Sequence, residues 1–230
     1  MCGFQVPTRH LPKIKTLILA FHCSDLPVGA ILLYGQSVCV MNELDSSIEI
    51  FDRLRKYTYK ITIDNGMEIM LRFSREHYHH LGGFHHLTDL ETISNPVSRQ
   101  KFYNDVKKGK ISREHLRKSC QYLLVQERIA SFEILEQILS SGSGKIIVEF
   151  DKNKTGSVIH AKFHLFHREG NPFKGESVYY TLFINSERDG IYYPVTYVVE
   201  HSNLYVRDQL MHDCTIACLA RNPKKELLPL

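Results

Sequence analysis

The sequence feature that most constrains the fold is an Asn65-Gly66 pair between two stretches of alternating apolar and polar residues. Residues 57–63 and 67–73 alternate with the two-residue period of a strand that buries one face. Asn and Gly tolerate the positive φ angles of a type I′ turn, so the pattern predicts a β-hairpin. Any fold for this chain must therefore accommodate an antiparallel strand pair at this point.

Helical periods follow the hairpin, and strand periods follow the helices. Apolar residues spaced by three and four predict a long helix over residues 112–140. From residue 145 the period returns to two in four stretches joined by short polar turns, which is typical of an antiparallel meander. We therefore expect an α+β fold: an antiparallel meander sheet packed against a few helices, including one long helix, with an N-terminal hairpin.

The 230 residues are sufficient for one large domain. Residues 1–40 contain three prolines and no clean period, so we expect them to form an N-terminal extension. We expect residues 41–208 to form the α+β domain and residues 209–230 to form a C-terminal tail. No apolar run reaches the roughly 18 residues that cross a bilayer, and no signal peptide is recognisable. These features favour a cytoplasmic protein without a membrane partner.

Positive charge is concentrated in one part of the chain. The whole chain has a net charge of +4 with neutral histidines. Residues 99–128 contain nine Lys or Arg and three acidic residues, a local excess of six positive charges. Such a surface attracts a polyanion such as RNA, and an ordinary solvated helix face is the alternative interpretation.

Histidine is concentrated in the segment that follows the hairpin. Five of the 13 histidines lie within ten residues, between His77 and His86. The Gly82-Gly83 pair among them lets the backbone turn sharply and approach a ligand. Histidine transfers protons near neutral pH and also binds zinc. Three interpretations stay open: acid–base catalysis on a phosphodiester, a metal site between His80 and His85, and a structural cluster.

A second group of candidates comes from the later strand patterns. Alternation over residues 157–167 predicts His160, Lys162 and His164 on one face of a strand. That face suits contact with phosphate, and a plain exposed sheet face is the alternative. Thr196 adds a hydroxyl from a later strand, and Arg72 ends the hairpin just before the histidine segment.

The hairpin end Leu71-Arg72-Phe73 and the motif His80-Leu81-x-Gly83-Phe84-His85-x-Leu87-x-Asp89 resemble the phage-associated Barnase–EndoU–colicin–RelE-like nuclease domains. The family pattern is His-Leu-x-Gly-Leu-His-Lys-Leu-x-Asp, so His86 stands where the pattern has Lys. The resemblance covers about residues 42–205. It implies a small α+β fold and metal-independent ribonuclease activity, often in a toxin or effector of a phage or mobile element. RNA is the expected substrate, and an immunity or antitoxin protein is a candidate partner.

The resemblance places catalysis at the histidine segment. His80 and His85 match the two histidines of the pattern and become the expected general base and acid, in an order left open. Lys162 and Thr196 join the expected catalytic set from strand alternation alone. The expected substrate-binding residues are Arg72, Gly83, His86, His160 and His164.

Two other functions stay open. A catalytically inactive nucleic-acid- or protein-binding module of the same fold would need the basic surface and not the histidines. A zinc-dependent hydrolase would use the histidines as ligands, but the segment lacks a His-Glu-x-x-His order and a facing cysteine pair. We therefore expect a metal-independent ribonuclease that cleaves RNA by acid–base transesterification, with no cofactor and no metal site.

Overall fold

The computed structural model describes residues 42–171, 176–186 and 190–221, so the predicted extension over residues 1–40 lies outside it. Within those ranges, none of the helices has the length and apolar character needed to span a membrane. The described helices are α1 (Glu43–Leu54), α2 (His77–Leu81), α3 (Glu91–Ser94), α4 (Arg99–Lys107), α5 (Arg113–Leu116), α6 (Tyr122–Ala130), α7 (Phe132–Ile138) and α8 (Lys152–Thr155), with a 3₁₀ helix at Phe84–His86. The described strands are β1 (Tyr57–Ile63), β2 (Glu68–Arg72), β3 (Gly142–Glu149), β4 (Phe163–Asn171), β5 (Glu176–Ser186), β6 (Ile191–Glu200) and β7 (Leu210–Ala220).

The seven described strands form a closed barrel in the order β1-β2-β6-β5-β4-β3-β7, and β7 pairs back with β1. β1 and β2 pair antiparallel, with Thr58 opposite Arg72, on either side of the Asn65-Gly66 turn. β2 pairs in parallel with β6, which makes the barrel mixed. The predicted α+β fold with an open antiparallel meander sheet is therefore wrong, although β4, β5 and β6 do pair antiparallel in succession.

Two pairings that close the barrel involve segments placed outside the predicted meander. Leu210–Ala220, within the predicted C-terminal tail, forms β7 and pairs antiparallel with both β1 and β3. The hairpin strand β2 supplies the other connection by pairing with β6. Alternation indicates that a stretch is a strand but does not specify its neighbours, so the sequence pattern could not reveal the closure.

The predicted long helix over residues 112–140 is also wrong, because the structure divides it into α5, α6 and α7. Between α5 and α6, the Ser119 hydroxyl and the Cys120 N–H both donate to the Asp89 carboxylate, at 2.5 and 2.9 Å. Ser131 ends α6, and its carbonyl accepts a hydrogen bond from the Tyr197 hydroxyl at 3.0 Å. These polar contacts compete with helix continuation, and an apolar stripe does not report them.

The strand predicted over residues 157–167 begins only at Phe163. His160 and Lys162 lie in the loop before β4, whereas His164 lies in β4 and is fully buried. The predicted His-Lys-His face is therefore wrong. Regular strand pairing of this region with β3 and β5 begins at Phe163, and only a paired strand fixes the alternation of side chains between two faces.

An aromatic cluster anchors α2 beneath the histidine segment. Tyr78 is fully buried, and its ring centroid lies 5.2 Å from that of Phe51 and 5.4 Å from that of Phe84. Its hydroxyl shares a hydrogen bond of 2.8 Å with the Ser47 hydroxyl in α1. Burial of one large apolar side chain contributes about 1.5–3 kcal/mol, and pairs of aromatic rings add to that. The cluster therefore fixes the position from which the following histidines project.

Candidate active site

A cleft of about 620 Å³ brings together much of the histidine segment. Its walls come from α2, the 3₁₀ helix, α6, the loop before β4, and β6. Five residues that the sequence analysis selected line it or adjoin it directly through their side chains: His80, His85, His86, His160 and Thr196. The structure therefore gathers residues that are more than a hundred positions apart in the chain.

The histidines face the cleft because the apolar residues between them face the core. Tyr78, Leu81, Phe84 and Leu87 are spaced by three positions and are all fully buried. Gly83 has φ +76°, a left-handed conformation that reverses the chain between α2 and the 3₁₀ helix. This reversal brings the His80 and His85 rings to a centroid distance of 4.9 Å, and the His85 and His86 rings to 4.0 Å.

Burial dominates the electrostatics of these imidazoles. It lowers the pKa of His80 to about 4, and the charge of Arg99 acts in the same direction. It lowers the pKa of His85 to about 3, with His86 as the next contributor. The pKa of His86 is also lowered, first by burial and then by Arg128. The rings are therefore neutral at pH 7, and each has a lone pair available to accept a proton.

Arg128 in α6 is a cleft residue that the sequence analysis did not select. A Cβ atom added to Gly83 would lie 2.9 Å from Arg128 Cδ and 3.0 Å from its Nη1, so this glycine permits the guanidinium to pack against the turn. Among the described residues, Nη1 is buried and has no hydrogen-bond partner. Burial lowers the pKa of Arg128, but a guanidinium remains charged at pH 7. An unused cationic donor inside a cleft is suited to an anion such as phosphate.

β6 presents Thr196 to the cleft at an irregularity in strand pairing. Phe183 lies opposite Thr196, whereas the next residue, Ile184, lies opposite Pro194, so β6 has one extra residue at this point. Such a bulge re-aims side chains and is common beside active sites. Glu200, further along β6, supplies the one carboxylate among the described residues that line the cleft.

Three of the selected residues lie elsewhere. Lys162 is exposed and lines a separate cleft with Glu149 and Asp151. Arg72 lines another cleft, beside His77. His164 is fully buried, and its Nε2 donates to the Tyr205 carbonyl at 2.9 Å. Tyr205 lines the histidine cleft, so His164 supports a wall of the site from behind.

The buried His164 predicts a measurable acid lability. Burial lowers its pKa to about 4, and its bond to Tyr205 opposes that effect. In the unfolded chain the pKa is near 6.5, so the unfolded state binds the proton first as the pH falls. Stability is therefore lost between pH 6.5 and 4. We expect this residue to account for a loss of about 3 kcal/mol between pH 7 and pH 4.

The measurement is urea unfolding of wild type and His164→Gln at pH 7, 6, 5 and 4. Gln retains an amide donor for the Tyr205 carbonyl and does not titrate. The variant should lose less stability than wild type as the pH falls. Identical pH slopes for the two proteins would contradict the assignment.

The basic segment carries less free charge than its composition indicates. Lys101 and Lys110 contact Asp105, Lys107 contacts Asp52, and Arg113 contacts Glu43 at 2.8 Å. Exposed ion pairs of this kind contribute little to stability, but they partly neutralise a field that would attract a polyanion. The cleft therefore depends more on Arg128 than on the surrounding surface for contact with an anion.

Comparison with known proteins agrees with the architecture of this site. The sequence matches the model of PBECR4, phage-Barnase-EndoU-ColicinE5/D-RelE like nuclease4, over residues 44–214, about three quarters of the chain. The chain belongs to this nuclease family, which confirms the resemblance seen in the histidine motif. No curated protein and no solved structure matched the chain.

Gly83 offers a direct test of the packing between the turn and Arg128. Gly109 also has a left-handed conformation, with φ +69°, but an added Cβ there would meet no atom within 4 Å. Gly109→Ala should therefore cost only the backbone strain, about 1–2 kcal/mol. Gly83→Ala should cost at least about 1 kcal/mol more, because its Cβ displaces the buried Arg128 side chain.

The measurement is urea unfolding of both variants, alone and combined with Arg128→Ala. In the Arg128→Ala background, the additional cost of Gly83→Ala should disappear, because the displaced side chain is absent. An additional cost that persists in this background would show that Gly83 is constrained by something other than Arg128.

Proposed function

We propose that this protein is a metal-independent ribonuclease that cleaves RNA by acid–base transesterification in the histidine cleft. The observation that carries the proposal is the pair of His80 and His85 rings, 4.9 Å apart between centroids, beside the unpartnered Nη1 of Arg128. Two imidazoles and a guanidinium provide the base, the acid and the cation that cleavage of a phosphodiester requires.

In this reaction one imidazole removes the proton from a ribose 2′-hydroxyl, and the 2′-oxygen attacks the adjacent phosphorus. The bond between phosphorus and the 5′-oxygen breaks, and the second histidine, as imidazolium, donates a proton to that leaving oxygen. The products are a 2′,3′-cyclic phosphate and a 5′-hydroxyl. His80 and His85 share the two proton transfers, and their short separation lets both reach one phosphodiester.

Arg128 binds the non-bridging oxygens of the phosphate and stabilises the negative charge that grows on them in the transition state. Thr196 adds a hydroxyl donor from the opposite wall, and His86 and His160 contact the flanking substrate. Lys162 and Arg72 lie in other clefts and have no part in this step.

The donor set supports a reaction without a divalent hard cation. Mg²⁺-dependent phosphodiester cleavage depends on carboxylate ligands, commonly several that share a site. In the described part of the cleft, Glu200 is the single acidic side chain. Proton transfer by histidine needs no such ligands.

We further propose that the protein acts on RNA in the cytoplasm as a toxin or effector of a phage or mobile element. An immunity or antitoxin protein would be its partner. The family description, which refers to phage, colicins and RelE, supports this role.

The test is incubation of mixed cellular RNA with wild type and His80→Ala/His85→Ala, with EDTA present throughout. His167→Ala is the matched control, because His167 is a partly exposed histidine on β4 outside the cleft. Wild type and the control should cleave, and the double variant should not. Retained RNA binding without cleavage by wild type would overturn the proposal in favour of a binding module. Cleavage that EDTA abolishes and zinc restores would overturn it in favour of a zinc-dependent hydrolase.

A further inference from the structure

A third imidazole, that of His79, lies directly behind the cleft. His79 is buried, and its Nε2 lies 2.7 Å from the carbonyl oxygen of Ile93. A carbonyl oxygen only accepts hydrogen bonds, so Nε2 carries the proton and Nδ1 carries the lone pair. Within the described structure, this Nδ1 is buried and has no hydrogen-bond partner. A buried acceptor without a partner is costly, and such groups are often explained by a ligand.

His79 forms a cluster with the two proposed catalytic histidines. One ring nitrogen from each of His79, His80 and His85 can be chosen such that all three lie within 4.8 Å of one another. Nδ1 of His85 is also buried, and it has no partner among the described residues. The cluster therefore contains two unsatisfied buried nitrogens, one from each side of the Gly82-Gly83 turn.

We propose that His79, His80 and His85 bind one divalent transition-metal ion, with Zn²⁺ as the best fit, and that the bound ion inhibits the nuclease. Zinc bonds to imidazole at about 2.0–2.1 Å, so a tetrahedral site needs nitrogens about 3.4 Å apart. Small rotations of the half-buried His80 and His85 rings close the remaining gap. Three neutral nitrogen ligands select zinc and its neighbours over Mg²⁺ or Ca²⁺, which prefer oxygen.

The hydrogen bond from His79 to Ile93 fits the same assignment. A metal-bound histidine usually donates its other ring N–H to a carbonyl or carboxylate, which orients the ring and fixes its tautomer. His79 already makes this bond through Nε2, so its Nδ1 is oriented before any ion arrives. In addition, burial lowers the pKa of all three residues, so binding would displace few protons at pH 7.

Inhibition follows from competition for the same electrons. A ring nitrogen whose lone pair binds zinc cannot accept the proton of a 2′-hydroxyl. The inhibition rests on the proposed ribonuclease function, whereas metal binding itself does not. Arg128 faces the same cleft, and its charge opposes a dication. Arg128→Met should therefore bind zinc more tightly than wild type.

The experiment titrates metal-free protein with Zn²⁺ in competition with a chromophoric chelator. Wild type should bind one ion per chain, and His85→Ala should bind it about a hundredfold more weakly or worse, since even the loss of an outer-shell partner costs about 10–100-fold. His80→Ala is the second ligand variant, because replacement of the fully buried His79 endangers folding. His77→Ala is the control from the same helix, outside the cluster.

Equal zinc affinity in wild type, His80→Ala and His85→Ala would overturn the metal site, and so would an equal loss in His77→Ala. RNA cleavage that continues at saturating zinc would overturn the inhibition. Specific zinc binding by a protein that cleaves no RNA would support the metal site and would count against the proposed function alone.

Discussion

Replacement of His85 by alanine should lower kcat/KM for RNA cleavage by about 10²- to 10⁴-fold, the usual contribution of a positioned general acid or base. His80→Ala should cause a loss in the same range. Because both residues act in one step, the double variant should be little worse than the more severe single variant. Each proton transfer depends on a partner that a water molecule replaces poorly in a half-buried cleft.

The measurement is the initial rate of cleavage of a fluorescent RNA in EDTA, with circular dichroism as a check on folding. His167→Ala should remain within about twofold of wild type, because surface substitutions rarely have large effects. If folded His80→Ala and His85→Ala both retained wild-type rates, the two imidazoles would have no role in catalysis.

Arg128→Met should lower the rate of RNA cleavage and raise the stability of the protein. Loss of a preorganised donor to the transition state commonly costs about 10²- to 10³-fold in kcat. The guanidinium is largely buried and its Nη1 has no partner in the described structure, so an apolar side chain of similar length removes a desolvation cost. Replacement of poorly compensated buried charge by apolar residues stabilises proteins by about 1–4 kcal/mol in favourable cases.

The measurements are cleavage rates and urea unfolding of Arg128→Met and Arg117→Met. Arg117 is an exposed cation at the end of α5 and serves as the control. The control should change neither quantity by much. Wild-type cleavage by Arg128→Met would contradict the phosphate-binding role, and a large loss of stability would contradict the description of its burial.

Local signals in the sequence were the most reliable. The Asn65-Gly66 turn between alternating stretches predicted the hairpin, which the structure confirms. The histidine motif predicted the family, and the comparison confirms it. Both signals depend on residues that are neighbours in the chain, so no knowledge of long-range packing was needed.

The features that the sequence did not reveal depend on distant partners. Barrel closure by β7 and β2 is a choice of neighbours, which alternation leaves undetermined. His164 looked like an exposed residue because its strand was predicted to begin too early, whereas it faces Phe150 and Phe183 in the interior. Arg128 was one of nine basic residues in its segment, and only the close approach of Gly83 distinguishes it.

The most direct test of the central claim is the chemical identity of the RNA ends produced in the presence of EDTA. Transesterification by His80 and His85 leaves a 2′,3′-cyclic phosphate and a 5′-hydroxyl, and DNA of the same sequence stays intact because it lacks the 2′-hydroxyl. The account predicts these ends for wild type and no cleavage by His80→Ala/His85→Ala. Products with 3′-hydroxyl and 5′-phosphate ends, or equal cleavage of the DNA, would contradict it.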